Sequence, residues 1–346
     1  MKKIIILFLL ITYGIIQSST FVFSQEKKPI AIISSTIGKV QILNNKGVFS
    51  RNAQQFTKIF PDEIVSTSNN SACVIVFKDK TTVKLESNTK VLLSKVNVNP
   101  QSRRGIGVLK GDVVLNVFKT GQNQFSAFTP TAVAGVRGTS FRISVAADGS
   151  SRCQVEEGNV NFSTRESSED LEAGRYATHN IDNESNSIRT NNDSYQDEQQ
   201  WKRQREENLK RNPSGTLDKL ENEVQLIEQN NNKTLQKVRN LHSSQINRDN
   251  AGEVFEVDNE VVEHTARNRA IRETSIDIAN RYRNDNRVTQ RYRMILQRTN
   301  AVEQQINMMD KFIEEMGQKI DKLIEQQEER IDDLMNNFMR RGLRRR

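Results

Sequence analysis

Thr129-Pro130-Thr131-Ala132-Val133-Ala134-Gly135-Val136-Arg137-Gly138-Thr139-Ser140-Phe141-Arg142-Ile143 is the stretch whose reading decides the fold. Its tail, Ser140 to Val145, reads as a strand, and Glu157-Gly158-Asn159-Val160 follows at a strand's remove. Gly135, Gly138, Gly158 and, further on, Gly174 can supply positive φ or close backbone approach at turns between stacked strands. Arg137 carries five donors in a fixed fork, suited either to tying turn carbonyls together or to holding a ligand. Thr139 is expected to donate to a neighbouring backbone carbonyl, and Phe141 to point its ring into the core.

Working outward, a period-two pattern recurs. Val40 and Ile42 alternate with polar neighbours before Asn44-Asn45-Lys46-Gly47. Cys73, Ile75 and Phe77 oppose Val74 and Val76 before Lys78-Asp79-Lys80. Val83 and Leu85 alternate, then Val91 and Leu93. Such spacing predicts short strands with one buried face. Further runs lie at Val113 to Phe118, Gln124 to Phe128, Arg152 to Glu156 and Asn159 to Ser163, separated by turn clusters. No helical period intervenes, so a β-sandwich or stacked β-roll is expected over residues 25–180.

This half of the chain resembles the FecR domain family. Val136-Arg137-Gly138-Thr139-Ser140-Phe141 carries the strongest likeness. Gly38-Lys39-Val40 is similar to the family's opening strand, Val83 to Thr89 to its middle hairpin, and Leu109-Lys110-Gly111-Asp112-Val113 to the turn that follows. Val155 to Val160 and Leu171 to Ala177 resemble its last two turns. The resemblance implies an extracytoplasmic sensing or scaffolding module, in which Pro130, Gly135, Arg137, Gly138, Thr139, Phe141, Gly158 and Gly174 serve structure or binding. Members of the family often relay an outer-membrane transport event to an anti-sigma factor.

The first residues read as an address. Lys2 and Lys3 precede an apolar run from Ile4 to Ile16, and Ser24 offers a small residue before Gln25, the pattern of a signal peptide over residues 1–24. A retained anchor is the alternative, although the run falls short of the roughly 20 residues a spanning helix needs. After cleavage no other stretch is apolar enough to cross a bilayer, so an exported, periplasmic or envelope-associated protein is expected. Only Met1, Lys2 and Lys3 precede the apolar run in this sequence, so no cytoplasmic arm to touch a sigma factor is expected.

Charge divides the chain along the same line as composition. Residues 1–180 hold 22 Lys and Arg against 13 Asp and Glu, whereas residues 181–346 hold 29 against 30. The basic excess sits on the β-rich half, where an anionic envelope surface is a reasonable partner and nucleic acid is not. Two cysteines, Cys73 and Cys153, lie on separate strands of that half. A bond between them would close a loop of about 80 residues and add roughly 4 to 5 kcal/mol in the chain-entropy picture. Sequence does not bring them within bonding distance.

Residues 181–200 are almost free of apolar side chains and read as a polar linker. Beyond it, residues 201–346 read as an α-helical coiled-coil region. After Pro213-Ser214-Gly215, Thr216 is a candidate cap, and Leu217, Leu220, Val224, Ile227, Val238 and Leu241 make one seam, with Asn231 and Thr234 as polar interruptions that set register. Ile295, Val302, Ile306, Met309, Ile313, Met316, Ile320 and Leu323 make a second, which resumes out of phase at Ile331, Leu334 and Phe338. Its partner is either the earlier helix or another copy of the chain. Nine arginines from Arg267 to Arg298 face three acids, while Glu303 to Asp333 holds ten acids against four bases, blocks suited to lateral helix pairing.

Nothing reads as catalytic machinery. His179, His242 and His264 are expected at the surface, remote from either cysteine, and show no zinc spacing. Glu156 and Glu157 are adjacent on a strand and so face opposite ways. Trp201 is expected to pack at the start of the helical half, and Gly105-Ile106-Gly107 lacks the rest of a phosphate loop. No cofactor is expected. The predicted role is a non-catalytic binding or scaffold module for a protein or envelope polymer, with the helices available for partner contact or self-association. Signal transduction linked to sigma-factor regulation is the alternative.

Overall fold

The computed structural model describes residues 28–94, 104–119, 125–165, 167–182, 189–192, 195–247 and 249–343. The expected signal peptide lies outside them. Two sheets face each other and share one strand. The first runs, in spatial order, β4 (Lys58–Ile59), β1 (Ala31–Ile37), β6 (Ala72–Phe77), β7 (Thr82–Leu85), β9 (Arg104–Asn116), β12 (Ser140–Val145), β13 (Ser151–Glu157), β16 (Arg175–His179) and β17 (Arg189–Asn192). The second runs β3 (Phe49–Asn52), β2 (Val40–Leu43), β5 (Ile64–Thr67), β8 (Lys90–Leu93), β9 again, β10 (Phe125–Phe128), β11 (Val133–Val136), β14 (Asn159–Ser163) and β15 (Ser168–Glu172). Only the β9–β10 pairing is parallel among the described ladders.

β9 serves both sheets because it bends at Gly111. There φ is +85°, and a Cβ would meet Thr89 Oγ1 at 2.4 Å and Thr89 Cα at 2.8 Å, so a side chain is excluded on two counts. Residues 104–110 pair with β8 and β10, residues 111–116 with β7 and β12. The core lies between the sheets: Ile33, Cys73, Ile75, Val83, Leu85, Phe141 and Ile143 from the first interleave with Ile42, Val65, Val91, Ile106, Val160 and Phe162 from the second. The expected alternation is therefore the inward face of each sheet.

Cys73 and Cys153 are both free thiols pointing into this core. The possible disulfide between them is not formed, because β7, β9 and β12 stand between β6 and β13 in the sheet. Four strand steps of about 4.8 Å put them far beyond the ~7 Å between Cα atoms that a disulfide tolerates. Burial pushes the Cys73 thiol up to about 12 and raises Cys153 as well, so neither is a reactive thiolate.

The helices are α1 (Tyr195–Arg211), α2 (Pro213–Ser243), α3 (Ala251–Arg281) and α4 (Asn286–Leu343). Asn212, rather than Thr216, caps α2, accepting from Gly215 N at 2.9 Å with Pro213 in the first turn. Contacts rise together along α2 and α4, from Arg291–Asp218 at 2.7 Å through Asn231–Gln305 at 2.8 Å to His242–Glu315 at 2.7 Å. These two helices are therefore parallel. α3 returns between them, with Arg267–Glu223 at 3.0 Å and Arg269–Glu303 at 2.9 Å. The first seam and the second as far as Ile320 close on each other within this one chain. The basic block pairs mainly with acids of α2 (Asp218, Glu221, Glu223 and Glu228), because the parallel register sets them level; Glu303 is the acid of the later block that joins in.

Within the span 181–200 three described features stand out. Ile181 is buried with the helices, Arg189–Asn192 add β17 to the edge of β16, and α1 begins at Tyr195. β17 has no apolar residue to announce it; the open backbone groups of an edge strand suffice to recruit it.

Candidate functional site

The helical region clasps the β module from both sides. On the outer face of the second sheet, Ala266 and Ala270 of α3 pack against Leu43, Ile64, Leu92, Leu109 and Phe128. Gly107 permits the approach, since a Cβ there would meet Ala266 Cβ at 3.1 Å. Lys90 pairs with Glu273, and Lys110 with Asp277 at 2.7 Å.

On the outer face of the first sheet, Glu198 of α1 is 1% exposed. It accepts from Lys202 at 2.6 Å and from the Ser144 hydroxyl at 3.2 Å. Lys202 also reaches Asp112 at 2.6 Å, and Arg142 makes a two-pronged contact with Glu86 at 3.0 and 2.9 Å. The Arg142 guanidinium holds the Glu86 carboxyl below the usual range, and Glu86 in return raises Arg142. Burial pulls the Lys202 ammonium down, but Asp112 and Glu198 outweigh it and leave Lys202 above its ordinary value. Trp201 packs as expected, donating to Asn180 Oδ1 at 2.8 Å.

Between these two contacts the β12–β13 hairpin tip enters the helical body. A Cβ on Gly149 would lie 3.2 Å from Leu220 Cδ2, 3.5 Å from Thr274 Cγ2 and 3.8 Å from Pro130 Cβ. Asp148, 1% exposed at this tip, accepts from Ser150 N at 2.9 Å and faces Arg205 at 3.7 Å. Desolvation pushes its carboxyl up to about 6.

The stretch from Thr129 to Ile143 spans the whole arrangement. At one end the Thr129 and Thr131 hydroxyls lie 2.7 and 2.8 Å from Ser151 Oγ, and Thr131 donates to the Gly149 carbonyl at 3.2 Å, fixing Pro130 beside the hairpin tip. At the other, Phe141 is fully buried and Thr139 donates to the Asn159 carbonyl at 2.9 Å. Gly158 is forced by that contact: φ is +85°, and a Cβ would sit 3.0 Å from Thr139 Oγ1 and 3.1 Å from the Gly138 carbonyl. Gly138 and Gly174 also have positive φ. Gly135 does not; it lies within β11, where a Cβ would meet only the Asn161 carbonyl at 3.9 Å.

The middle of the stretch lines a groove of about 510 Å³ on the outer face of the second sheet. Val133 and Gly135 of β11 and Asn161 of β14 line it together with exposed Arg137 and with Glu263 and Arg267 of α3. Asn161 is already oriented, donating to Ser168 Oγ at 2.9 Å and Asp170 Oδ1 at 2.8 Å. Arg267 is held by Glu223 and Glu263. An open groove bearing both signs of charge fits a protein segment better than an enclosed small molecule, whose sites are concave and largely apolar.

Two of the histidines expected at the surface are buried, His179 at 3% and His264 at 7% exposed. The α2–α3 contact covers the second, where Nδ1 stands 3.3 Å from Asn231 Oδ1. Burial and the neighbouring Arg267 lower His264 to about 4. Among the described residues, no group of three or more His, Cys, Asp or Glu is placed to hold a metal ion, and no helix is long and apolar enough to cross a membrane.

Residues 63–161 match the family model described as FecR protein, a span from the start of β5 into β14. The likeness read in the Thr129–Ile143 stretch is thus carried by the family model. Two crystal structures of an anti-sigma-factor candidate from Parabacteroides distasonis ATCC 8503, at 2.50 Å and 1.65 Å, align at 22% identity with a TM-score of 0.35. The alignment covers 40% of this chain and 63% of theirs, so the chain spans a little under two thirds of the proteins it matches. No curated protein matches it.

Proposed function

We propose that this protein is a signal-transduction component of the FecR type, acting outside the cytoplasm without catalysis of its own and receiving a protein segment in the groove lined by Gly135 and Asn161. The FecR match over residues 63–161 supports the signalling reading. The observation that carries the mechanism is the path of one short stretch. Val133 to Arg137 line the groove, while Thr129 to Thr131, a few residues earlier, are hydrogen-bonded to the hairpin tip seated between α2 and α3. A partner that repositions β11 therefore acts on the helical body through a contiguous hydrogen-bonded path, the minimum a relay requires. Regulation of a sigma factor through an anti-sigma partner is the output the family resemblance implies.

The test is transcriptional. In a strain lacking the protein, complementation with wild type is expected to restore the expression of a defined regulon, whereas Arg137→Glu combined with Asn161→Lys, folded like wild type by thermal melting, is expected not to. Full restoration by the double variant would remove the groove from the mechanism, and an unchanged transcriptome in the deletion strain would remove signalling.

An envelope scaffold is the second reading, favoured by one observation: the helices lie wholly outside the family match and fasten to both outer faces of the β module. In that reading they serve oligomerisation or contact with a protein or envelope polymer, and loss of the protein alters envelope integrity without a regulon.

A further inference from the structure

α4 outruns its partners. α2 ends at Ser243, level with Glu315 through the His242 contact, and the helical core closes at Ile320 with Leu323 packed against it. α4 nevertheless continues to Leu343, an overhang of about 20 residues, or about 30 Å at 1.5 Å per residue. Along it Ile324, Ile331, Leu334 and Met335 are 46%, 58%, 69% and 59% exposed. Positions 324, 331, 334 and 335 are spaced by seven, three and one, so they form one stripe on a helix. The stripe continues, out of phase across Gln327, the seam that closes the bundle lower down.

The charges on this segment are divided end to end. From Asp321 to Asp333 there are six acids against two bases, and from Leu334 to Arg346 five arginines and no acid. Two such segments laid side by side in the same direction would set acid against acid and arginine against arginine. Laid in opposite directions, about a two-fold axis near Ile331 and Leu334, the acidic stretch of each runs beside the arginines of the other. Complementary charges at the flanks of a helical seam choose partner and orientation.

We propose that the α4 overhang pairs antiparallel with the same overhang of a second copy of this chain, making a homodimer whose two β modules stand at opposite ends. The inference deepens the helical self-association named in the second reading and leaves the groove untouched. A seam of about three heptads yields a dimer that depends on concentration, since so short a helical contact is marginal. Salt weakens it, because the flanking pairs are exposed.

Light scattering on the intact protein tests the proposal. Wild type is expected to rise toward twice the monomer mass with concentration, and Ile331→Glu with Leu334→Glu to stay monomeric at the same concentrations. Both side chains are exposed in the monomer, so an unchanged thermal midpoint for the variant shows that folding is not the cause. Orientation is read by mixing Glu325→Cys with Arg340→Cys chains, the native thiols being buried. Antiparallel pairing favours the mixed crosslink over either self-crosslink, and dominant self-crosslinks would overturn it. A monomeric wild type, or a dimer unaffected by the double substitution, overturns the interface. A mass change seen only when anionic vesicles are added assigns the arginines to a lipid surface instead. None of these results touches the groove, whose failure is read separately in the regulon.

Discussion

Between the two sheets of the β module the space is filled by aliphatic and aromatic side chains, whereas the helical body buries Asn231, Thr234, Glu223, Arg267, Asn268 and His264 among its aliphatic seams. The difference follows from what each must specify. Backbone ladders and period-two alternation fix sheet register, because a slip of one residue would turn every apolar side chain outward. Parallel and antiparallel helices have no such ladder between them. Polar partners such as Asn231 with Gln305 and His264, or Thr234 with Glu260 at 2.6 Å, select one axial register from several that would bury the same leucines.

The largest effect separating the two regions is expected from Phe141→Ala, which empties a fully buried site in the dry core and is expected to cost about 3 to 5 kcal/mol in urea unfolding. At the contact between regions, Lys202→Met strands the carboxylate of Glu198, 1% exposed, with Ser144 and a distant Arg142 as its remaining neighbours. A loss of about 2 to 4 kcal/mol is expected, and Lys202→Met with Glu198→Leu is expected to recover part of it. Additivity of the two substitutions would show that α1 and the first sheet are not coupled there.

The regions also respond to acid with opposite sign. Asp148 has its folded value raised to about 6, from 3.8, so between those values the folded state holds more protons than the unfolded, and stability falls as pH rises. His264 has its folded value lowered to about 4, from 6.5, so between those values the unfolded state holds more protons, and stability rises with pH. Asp148→Asn is therefore expected to give a steep gain in stability from pH 4 to 6.5, and His264→Gln to leave a loss over the same range. Each change amounts to about 3 kcal/mol across the window by chemical denaturation. Parallel profiles for both variants and wild type would dismiss the opposition. The smallest effect is expected at the surface, where Lys237→Met removes an exposed contact with Glu260 and moves stability by no more than about 0.5 kcal/mol.

Much of the β module was legible because its inward residues alternate; Phe141 is buried in the core, Thr139 donates to the Asn159 carbonyl, and Gly138 and Gly158 have positive φ. The alternation also contained a signal that passed unread. Val91-Leu92-Leu93 and Val108-Leu109 are apolar on both faces, the mark of a strand covered on both sides. Leu92 and Leu109 are where α3 docks. α3 itself was hidden because its docking face consists of Ala266 and Ala270, small residues that bring the helix close without a conspicuous apolar stripe. β17 was hidden by its wholly polar sequence, and the groove by the same fact that makes it open: Gly135 has no side chain to announce a site. Arg137 was open between scaffold and ligand roles; it lies exposed in the lining of the groove.

Hydrogen exchange on the intact chain tests most directly whether the helices and the β module form one body. The clasp by α1 and α3 around the hairpin at Gly149 implies that amides of α1, α3 and the β12–β13 hairpin are protected together and lose protection together when Lys202→Met is introduced. Rapid exchange throughout α1 and α3, with the sheets still protected, would contradict it.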